Sequence, residues 1–171
     1  MWCVCVCVCV CVCVCVCVCV SECVCAVEGH TRRRTQETLG SIEFAVESFG
    51  CHLIVVLGHE RCAAVTIASS RTPIETIGAV RTVLDRVRPS IGVSRAAIDS
   101  FPSHEEYVNA CVHEAAAYVS RQLADTMPIL AREVRSGGVR VVPAFFHMES
   151  GEVDFMPAPS IAPRRSSRAV H

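Results

Sequence analysis

The stretch from Leu53 to Leu57 constrains the fold of this chain most, because it consists of five consecutive branched apolar residues. The run has the length of a strand and lacks the alternation of a half-exposed one. It is therefore typical of a central strand in a parallel sheet that is covered on both faces. Gly58 follows as a turn, and residues 61–69 can form the start of a helix.

Helical and extended patterns surround this strand. Apolar residues recur at helical spacing from Leu39 to Phe49, and Gly50 then ends the helix. Further elements are predicted downstream, namely helices at 72–88, 103–124 and 128–135 and strands at 139–146 and 153–156. Pro143 suggests that the last two strands lie toward a sheet edge or contain a bulge. This order of elements indicates an α/β fold with a mainly parallel central sheet flanked by helices.

Length and charge limit the possible functions. A chain of 171 residues has room for one domain, predicted here over 38–156, with a polar connector at 26–37 and a disordered tail at 157–171. The formal net charge of −1 gives no electrostatic reason to expect nucleic acid or an anionic membrane as a partner. Of the 14 cysteines, three lie beyond residue 25, a frequency ordinary for a reduced cytoplasmic protein.

The first 25 residues are a low-complexity repeat, with Cys-Val repeated nine times over residues 3–20. A run of alternating T and G nucleotides encodes Cys-Val in every forward frame, and natural strands do not repeat two residue types without error. The pattern favours a coding artefact. A membrane-spanning helix and a signal peptide are weaker alternatives, because no basic residue precedes the run. Thiolates are also soft metal ligands, so incidental zinc or copper binding is a third alternative.

His59 and Cys62 are the candidate metal ligands. His59 follows the carboxyl end of the buried strand, where open α/β sheets place their ligands, and Cys62 lies three residues later at the start of the next helix. One strand-to-helix turn can thus direct an imidazole and a thiolate to one point, as zinc requires. By spacing alone, a chance pair with a buried Cys is the more common explanation, and metal binding is the alternative.

A zinc site needs at least one more protein ligand, and the downstream sequence offers no obvious one. His104 and His113 are predicted on the exposed side of a helix, and His147 lies near a turn. Cys51 and Cys111 are predicted to be core residues. The pattern of residues therefore leaves the metal site incomplete.

Three segments resemble the β-class carbonic anhydrases. They are Thr38-Leu-Gly-Ser-Ile-Glu-Phe-Ala-Val46, followed by Leu53-Ile-Val-Val-Leu-Gly-His-Glu-Arg-Cys62, and Val139-Arg-Val-Val-Pro-Ala-Phe-Phe-His-Met-Glu-Ser-Gly-Glu-Val-Asp-Phe155. The resemblance extends over about residues 38–156. It implies one zinc ion per chain held by Cys, His and Cys, the reversible hydration of carbon dioxide to bicarbonate, and a homodimer or higher oligomer. His59 and Cys62 match the second and third protein ligands.

The family's first ligand lies in a Cys-x-Asp-x-Arg motif that is missing here. Counting back from His59 leads into the repeat, and taking Cys5 as the ligand puts Cys7 and Cys9 in the Asp and Arg positions. A thiol cannot replace a carboxylate clamped by a guanidinium. No catalytic residue is therefore identifiable. Ala63, where the family usually has Gly, is a smaller departure that is expected to crowd the turn.

The expected function is zinc-dependent carbon dioxide hydration, impaired in this chain, with weak or absent zinc and doubtful oligomerisation. Two alternatives are a non-catalytic zinc-binding remnant and a hydrolase of a related small molecule such as carbon disulfide. A membrane-anchored interaction protein is the remaining hypothesis.

Overall fold

The computed structural model describes residues 5–9, 15–20, 22–27, 32–71, 81, 84–85, 87–92 and 95–158. The strands are β1 (Cys5–Cys9), β2 (Cys15–Val20), β3 (Glu22–Val27), β4 (Leu53–His59), β5 (Arg140–Phe146) and β6 (Val153–Phe155). The helices are α1 (Arg32–Phe49), α2 (Ala63–Ser69), α3 (His104–Thr126) and α4 (Pro128–Ser136), with 3₁₀ turns at Arg88–Ser90 and Arg95–Ser100.

The main sheet has four strands in the order β1-β4-β5-β6. β4 pairs in parallel with both β1 and β5, and β6 adds to β5 as an antiparallel edge strand. β2 and β3 form a separate antiparallel pair. The predicted α/β fold with a mainly parallel sheet is therefore confirmed, and the apolar run from Leu53 to Leu57 lies in an inner strand as expected.

Local signals explain where the helices begin and end. The Ser103 hydroxyl accepts a hydrogen bond from the Glu106 amide at 3.1 Å and caps α3. Pro128 is the first residue of α4, where its missing N–H costs nothing, and Gly137 ends that helix at φ 81°. Gly50, at φ 65°, ends α1 as predicted.

The core consists of two clusters of buried residues, where the helices pack against the sheet. The first contains α1, α4 and the second half of α3 against β4 and β5, and includes Cys51 and Ile54. The second contains α2 and the first half of α3, and includes Cys62, Cys111 and Phe145. Cys51 and Cys111 are thus core residues, as the sequence predicted.

Several expectations need correction. α1 begins at Arg32, inside the predicted connector, because Arg, Gln and Glu are good helix formers. His113 is half-buried, not exposed, since it stacks on Phe145 at a ring-centroid distance of 4.2 Å. Ala63 is exposed and does not crowd the turn within the described residues. The expectation that the last two strands lie toward a sheet edge is confirmed, because β5, which contains Pro143, pairs with the edge strand β6.

Other expectations fall outside the described residues. Most of the predicted helix at 72–88 lies there, as does nearly all of the predicted tail at 157–171. In the described part of the chain, no helix is long and apolar enough to cross a bilayer.

Candidate metal centre

The turn between β4 and α2 carries both candidate ligands. β4 ends at His59, and Cys62 is the N-cap residue of α2. The Glu60 amide donates a hydrogen bond to the Phe146 carbonyl at 3.2 Å, which joins the turn to the carboxyl end of β5. The turn therefore lies at the edge of the sheet where parallel strands end, the usual place for ligands in α/β folds.

The His59 ring is half-buried, and a hydrogen bond fixes its tautomer. Its Nδ1 lies 2.8 Å from the Glu60 carbonyl oxygen. Because a carbonyl can only accept, Nδ1 carries the proton and Nε2 carries the lone pair in the neutral ring. Zinc-binding histidines are commonly held in this way, with one ring nitrogen donating to a carbonyl and the other available to metal.

Cys62 is almost fully buried, with 1% of its surface exposed. Its backbone is extended (φ −64°, ψ 106°), and its carbonyl accepts hydrogen bonds from the Thr66 amide and the Thr66 hydroxyl, both at 2.9 Å. The side chain is therefore held at the entry to α2 in a water-poor environment. α2 has only seven residues, so its dipole gives limited support to a thiolate at Cys62.

Gly58 lets α3 approach the end of β4. A Cβ at this position would lie 2.5 Å from Cγ1 of Val112, a fully buried residue of α3. Only a residue without a side chain fits between the strand and the helix. The close packing sets the position of the strand immediately before His59.

Glu60, His147 and Asp154 form a hydrogen-bonded chain beside the turn. His147 Nδ1 lies 3.0 Å from a Glu60 carboxylate oxygen, and His147 Nε2 lies 2.9 Å from Asp154 Oδ2. The second Glu60 oxygen accepts from the Met148 amide at 2.9 Å. Since both ring nitrogens face carboxylates, the arrangement favours the imidazolium form, and the hydrogen bonds that the ring donates to Asp154 and Glu60 raise the pKa of His147.

The same network acts on Glu60 in the opposite direction. The hydrogen bond from His147 lowers the pKa of the Glu60 carboxyl, with a further contribution from the Met148 amide. The carboxylate therefore stays ionised and remains attached to the hairpin that joins β5 to β6.

Arg61, in the middle of the turn, is attached to two further elements. Its Nε donates to Glu105 of α3 at 3.2 Å, and its Nη2 pairs with Glu149 of the β5–β6 hairpin. These carboxylates raise the pKa of the Arg61 guanidinium further, with Glu149 the larger cause. The residue has φ 55°, in the left-handed region.

The histidines and cysteines that the structure describes outside this turn are not gathered around it as further metal ligands. His113 faces Met156 and Phe145, and His147 is bonded to two carboxylates. His52 contacts the Gly138 carbonyl at the opposite end of the strand. Among the residues that the structure describes, no group of three or more His, Cys, Asp or Glu side chains is placed to hold a metal.

Strand register bears on the missing first ligand. Cys5 pairs with Leu53 and Cys9 with Leu57. Leu53 precedes His59 by six residues, so Cys5 lies about 20 Å from the level of His59 along the sheet. Two ligands of one metal ion that lie on neighbouring parallel strands must be near the same end of both strands. The alignment that takes Cys5 as first ligand is therefore wrong for this register, which points instead to Cys9 or a residue beyond it.

The sequence did not predict the residues that attach the turn to its surroundings. Glu60 and Arg61 lie inside the ligand spacing and show no periodicity, and their partners are 44 to 88 positions away. For His147 the sequence indicates only a histidine near a turn. The available signal for Glu60 and Arg61 is their charge in a short loop after a buried strand, and this signal does not predict which residues they contact.

Comparisons with known proteins identify the family of this chain. The family model for carbonic anhydrase matches residues 15–153. Carbonic anhydrase 2 of Mycobacterium tuberculosis is 32% identical over 115 residues, which is 66% of this chain and 53% of that protein. The carbonic anhydrase of Mycolicibacterium smegmatis is 34% identical over 122 residues, which is 68% of this chain and 54% of that protein. The chain thus spans about half the length of the curated relatives it matches.

Solved structures show the same fold. One of the tetrameric β-carbonic anhydrases from Sordaria macrospora superposes with a TM-score of 0.63 at 19% identity, covering 73% of this chain and 62% of that one. The β-carbonic anhydrase CafA of Aspergillus fumigatus also gives 0.63, at 20% identity, covering 74% and 58%.

Proposed function

Because the chain belongs to the β-class carbonic anhydrase family, we propose that its ancestral activity is the zinc-dependent, reversible hydration of carbon dioxide to bicarbonate. We propose His59 and Cys62 as two of the zinc ligands. One observation carries this proposal: His59 stands at the end of a buried parallel strand, with Nδ1 held by a carbonyl, three residues before the buried Cys62.

The donor set fits zinc. A neutral imidazole and a thiolate are donors that zinc prefers, and a proton on Nδ1 of His59 leaves the lone pair of the neutral ring on Nε2. When bound, zinc lowers the pKa of water, which makes the hydration of carbon dioxide possible near neutral pH. The protein residues hold the metal and keep its surroundings poor in water.

We infer that this chain has little carbon dioxide hydration activity. Activity in this family depends on a third protein ligand and on an Asp-Arg pair, and residues 3–20 contain only Cys and Val. A thiol provides neither the negative charge of a carboxylate at neutral pH nor the five donors of a guanidinium.

A stopped-flow assay of carbon dioxide hydration tests this proposal. The matched variants place Cys-x-Asp-x-Arg at 9–13 (Cys11→Asp with Cys13→Arg) or at 5–9 (Cys7→Asp with Cys9→Arg). We expect little zinc-dependent hydration from the unmodified chain and a gain from the motif at 9–13, as the register indicates. Robust hydration by the unmodified chain, or a gain only with the motif at 5–9, would contradict this account.

A non-catalytic, zinc-binding remnant is the second candidate function. It is favoured by the absence, in the described ranges, of any cluster of three metal-binding side chains. Weak zinc binding at His59 without hydration, in the unmodified chain and in both repaired variants, would support it over the enzyme.

We further propose one β-carbonic-anhydrase-like domain over 38–156 and a cytoplasmic location. The cysteines at 51, 62 and 111 are buried and are not paired in disulfides, as is usual for proteins of reducing compartments. We propose a homodimer or higher oligomer for the family, as in the neighbour described as tetrameric, and not for this chain in particular.

A further inference from the structure

Arg61 has a backbone conformation that is unfavourable for residues other than glycine. Its φ of 55° is the only positive φ at a non-glycine residue in the part of the chain that the structure describes. Such a conformation is unfavourable for a residue with a Cβ and persists where the surroundings impose it. This conformation of Arg61 lies in the turn between the two candidate ligands, so it affects the positions of His59 and Cys62 relative to each other.

The Arg61 side chain connects this turn to two elements that are distant in sequence. One carboxylate, Glu105, is in the first turn of α3, and the other, Glu149, is in the hairpin after β5. A guanidinium has a fixed fork of donors and can engage two carboxylates at once, which an ammonium cannot do with the same geometry.

Each ion pair alone is weak. More than half of the surface of all three side chains is exposed, and exposed pairs contribute little to stability. Two carboxylates on one guanidinium nevertheless restrict its position, and hence that of the turn, from two directions. The expected consequence is local order in the turn, with little effect on global stability.

We propose that Arg61 is a positioning residue for the metal site, which holds the His59–Cys62 turn in its left-handed conformation by bridging Glu105 and Glu149. The inference rests on the proposed function insofar as the turn binds zinc. It adds a residue that touches neither metal nor substrate and acts through the turn alone.

Arg61→Gly is the informative substitution. Glycine adopts a positive φ without cost, so the variant removes the bridge and leaves the turn conformation accessible. Arg61→Lys keeps the charge and loses the fork. Arg71→Gly is the matched control, because Arg71 forms an exposed ion pair with Asp99 outside the turn.

Two measurements on the full chain separate positioning from general stability. The first is hydrogen exchange of the Glu60 amide in metal-free protein. The second is zinc affinity, followed by the ¹⁵N shift of the His59 ring with free zinc set by a chelator. This probe is insensitive to the thiols of the repeat, because residues 1–25 contain no histidine.

We expect faster Glu60 exchange in Arg61→Gly and a loss of zinc affinity of about tenfold or more, the effect usual for residues that support a metal ligand. Arg61→Lys should recover part of the affinity, and Arg71→Gly should match the unmodified chain. Affinity should fall with added salt in the unmodified chain and much less in Arg61→Gly, since salt screens the exposed pairs.

The outcomes for the two proposals are distinct. If zinc leaves the His59 ring unchanged in the unmodified chain, the proposed zinc site fails, and the Glu60 exchange rate alone decides the role of Arg61. Equal Glu60 exchange in Arg61→Gly and the unmodified chain overturns the inference. So does equal zinc affinity of these two proteins, or an equal loss in Arg71→Gly.

Discussion

The packing of Gly58 against α3 provides a test whose size follows from the structure. In Gly58→Ala the new Cβ would lie 2.5 Å from Val112 Cγ1, whereas carbon atoms in contact are normally about 3.5 to 4.0 Å apart. A displacement of about 1 Å is therefore needed. Val112 cannot supply it easily, because valine in a helix has one strongly preferred rotamer.

Neighbouring atoms leave no room for the new Cβ to move away. It would also lie 3.6 Å from the Val112 carbonyl oxygen and 3.7 Å from that of Ala144. Overpacking of this kind costs about 1 to 3 kcal/mol, and the loss of chain entropy in the unfolded state offsets about 0.4 to 1 kcal/mol. We expect Gly58→Ala to lower the free energy of unfolding by about 1 to 2 kcal/mol.

Urea unfolding of Gly58→Ala, Val112→Ala and the double variant measures this effect. Removing Cγ1 of Val112 should abolish most of the cost of the alanine, with a coupling energy of about 1 kcal/mol or more. Gly40→Ala is the control, since nothing lies within 4 Å of its added Cβ, and it should stabilise α1 by up to about 1 kcal/mol. If Gly58→Ala is as stable as the unmodified chain, or equally costly without Cγ1, the packing argument is wrong.

Further predictions concern a helix cap and two histidines. The Glu43 carboxylate accepts from the Ile129 amide at 2.9 Å in the first turn of α4, so Glu43→Ala should cost about 1 kcal/mol in urea unfolding. In an NMR titration the pKa of His147 should exceed 6.5 because its ring donates hydrogen bonds to Asp154 and Glu60, whereas burial should place the pKa of His113 below 6.5. His147 therefore contributes stability that is full below pH 6.5 and is lost as the pH rises through its folded value. The contribution of His113 is present above pH 6.5 and is lost as the pH falls toward its folded value. An inverted order of the two pKa values would contradict the described contacts.

Much of the scaffold could be predicted from the sequence because its signals are local. The run from Leu53 to Leu57 has one compatible environment, a strand buried on both faces, and β4 occupies it. Pro128 and Gly137 marked the ends of α4 for stereochemical reasons that need no tertiary context. The position of His59 and Cys62 followed from the same strand and turn.

The rest of the site depends on contacts between distant parts of the chain. The burial of His113 results from β5 packing beneath α3, which no pattern within α3 specifies. The bond from His147 to Glu60 requires the pairing of β4 with β5. The placement of the first ligand at Cys5 by counting back from His59 disagrees with the structure for a similar reason. A residue count ignores the strand register, which determines which residues of two paired strands lie side by side.

Zinc coordination by His59 is the most direct test of the central claim that His59 and Cys62 form half of a carbonic anhydrase metal site. The measurement is the ¹⁵N shift of the His59 ring at a fixed free zinc concentration. We predict that zinc shifts Nε2 in the unmodified chain and in a Cys111→Ser control, but not in Cys62→Ser. A His59 ring that zinc leaves unchanged, or one that responds equally in Cys62→Ser, would contradict the claim.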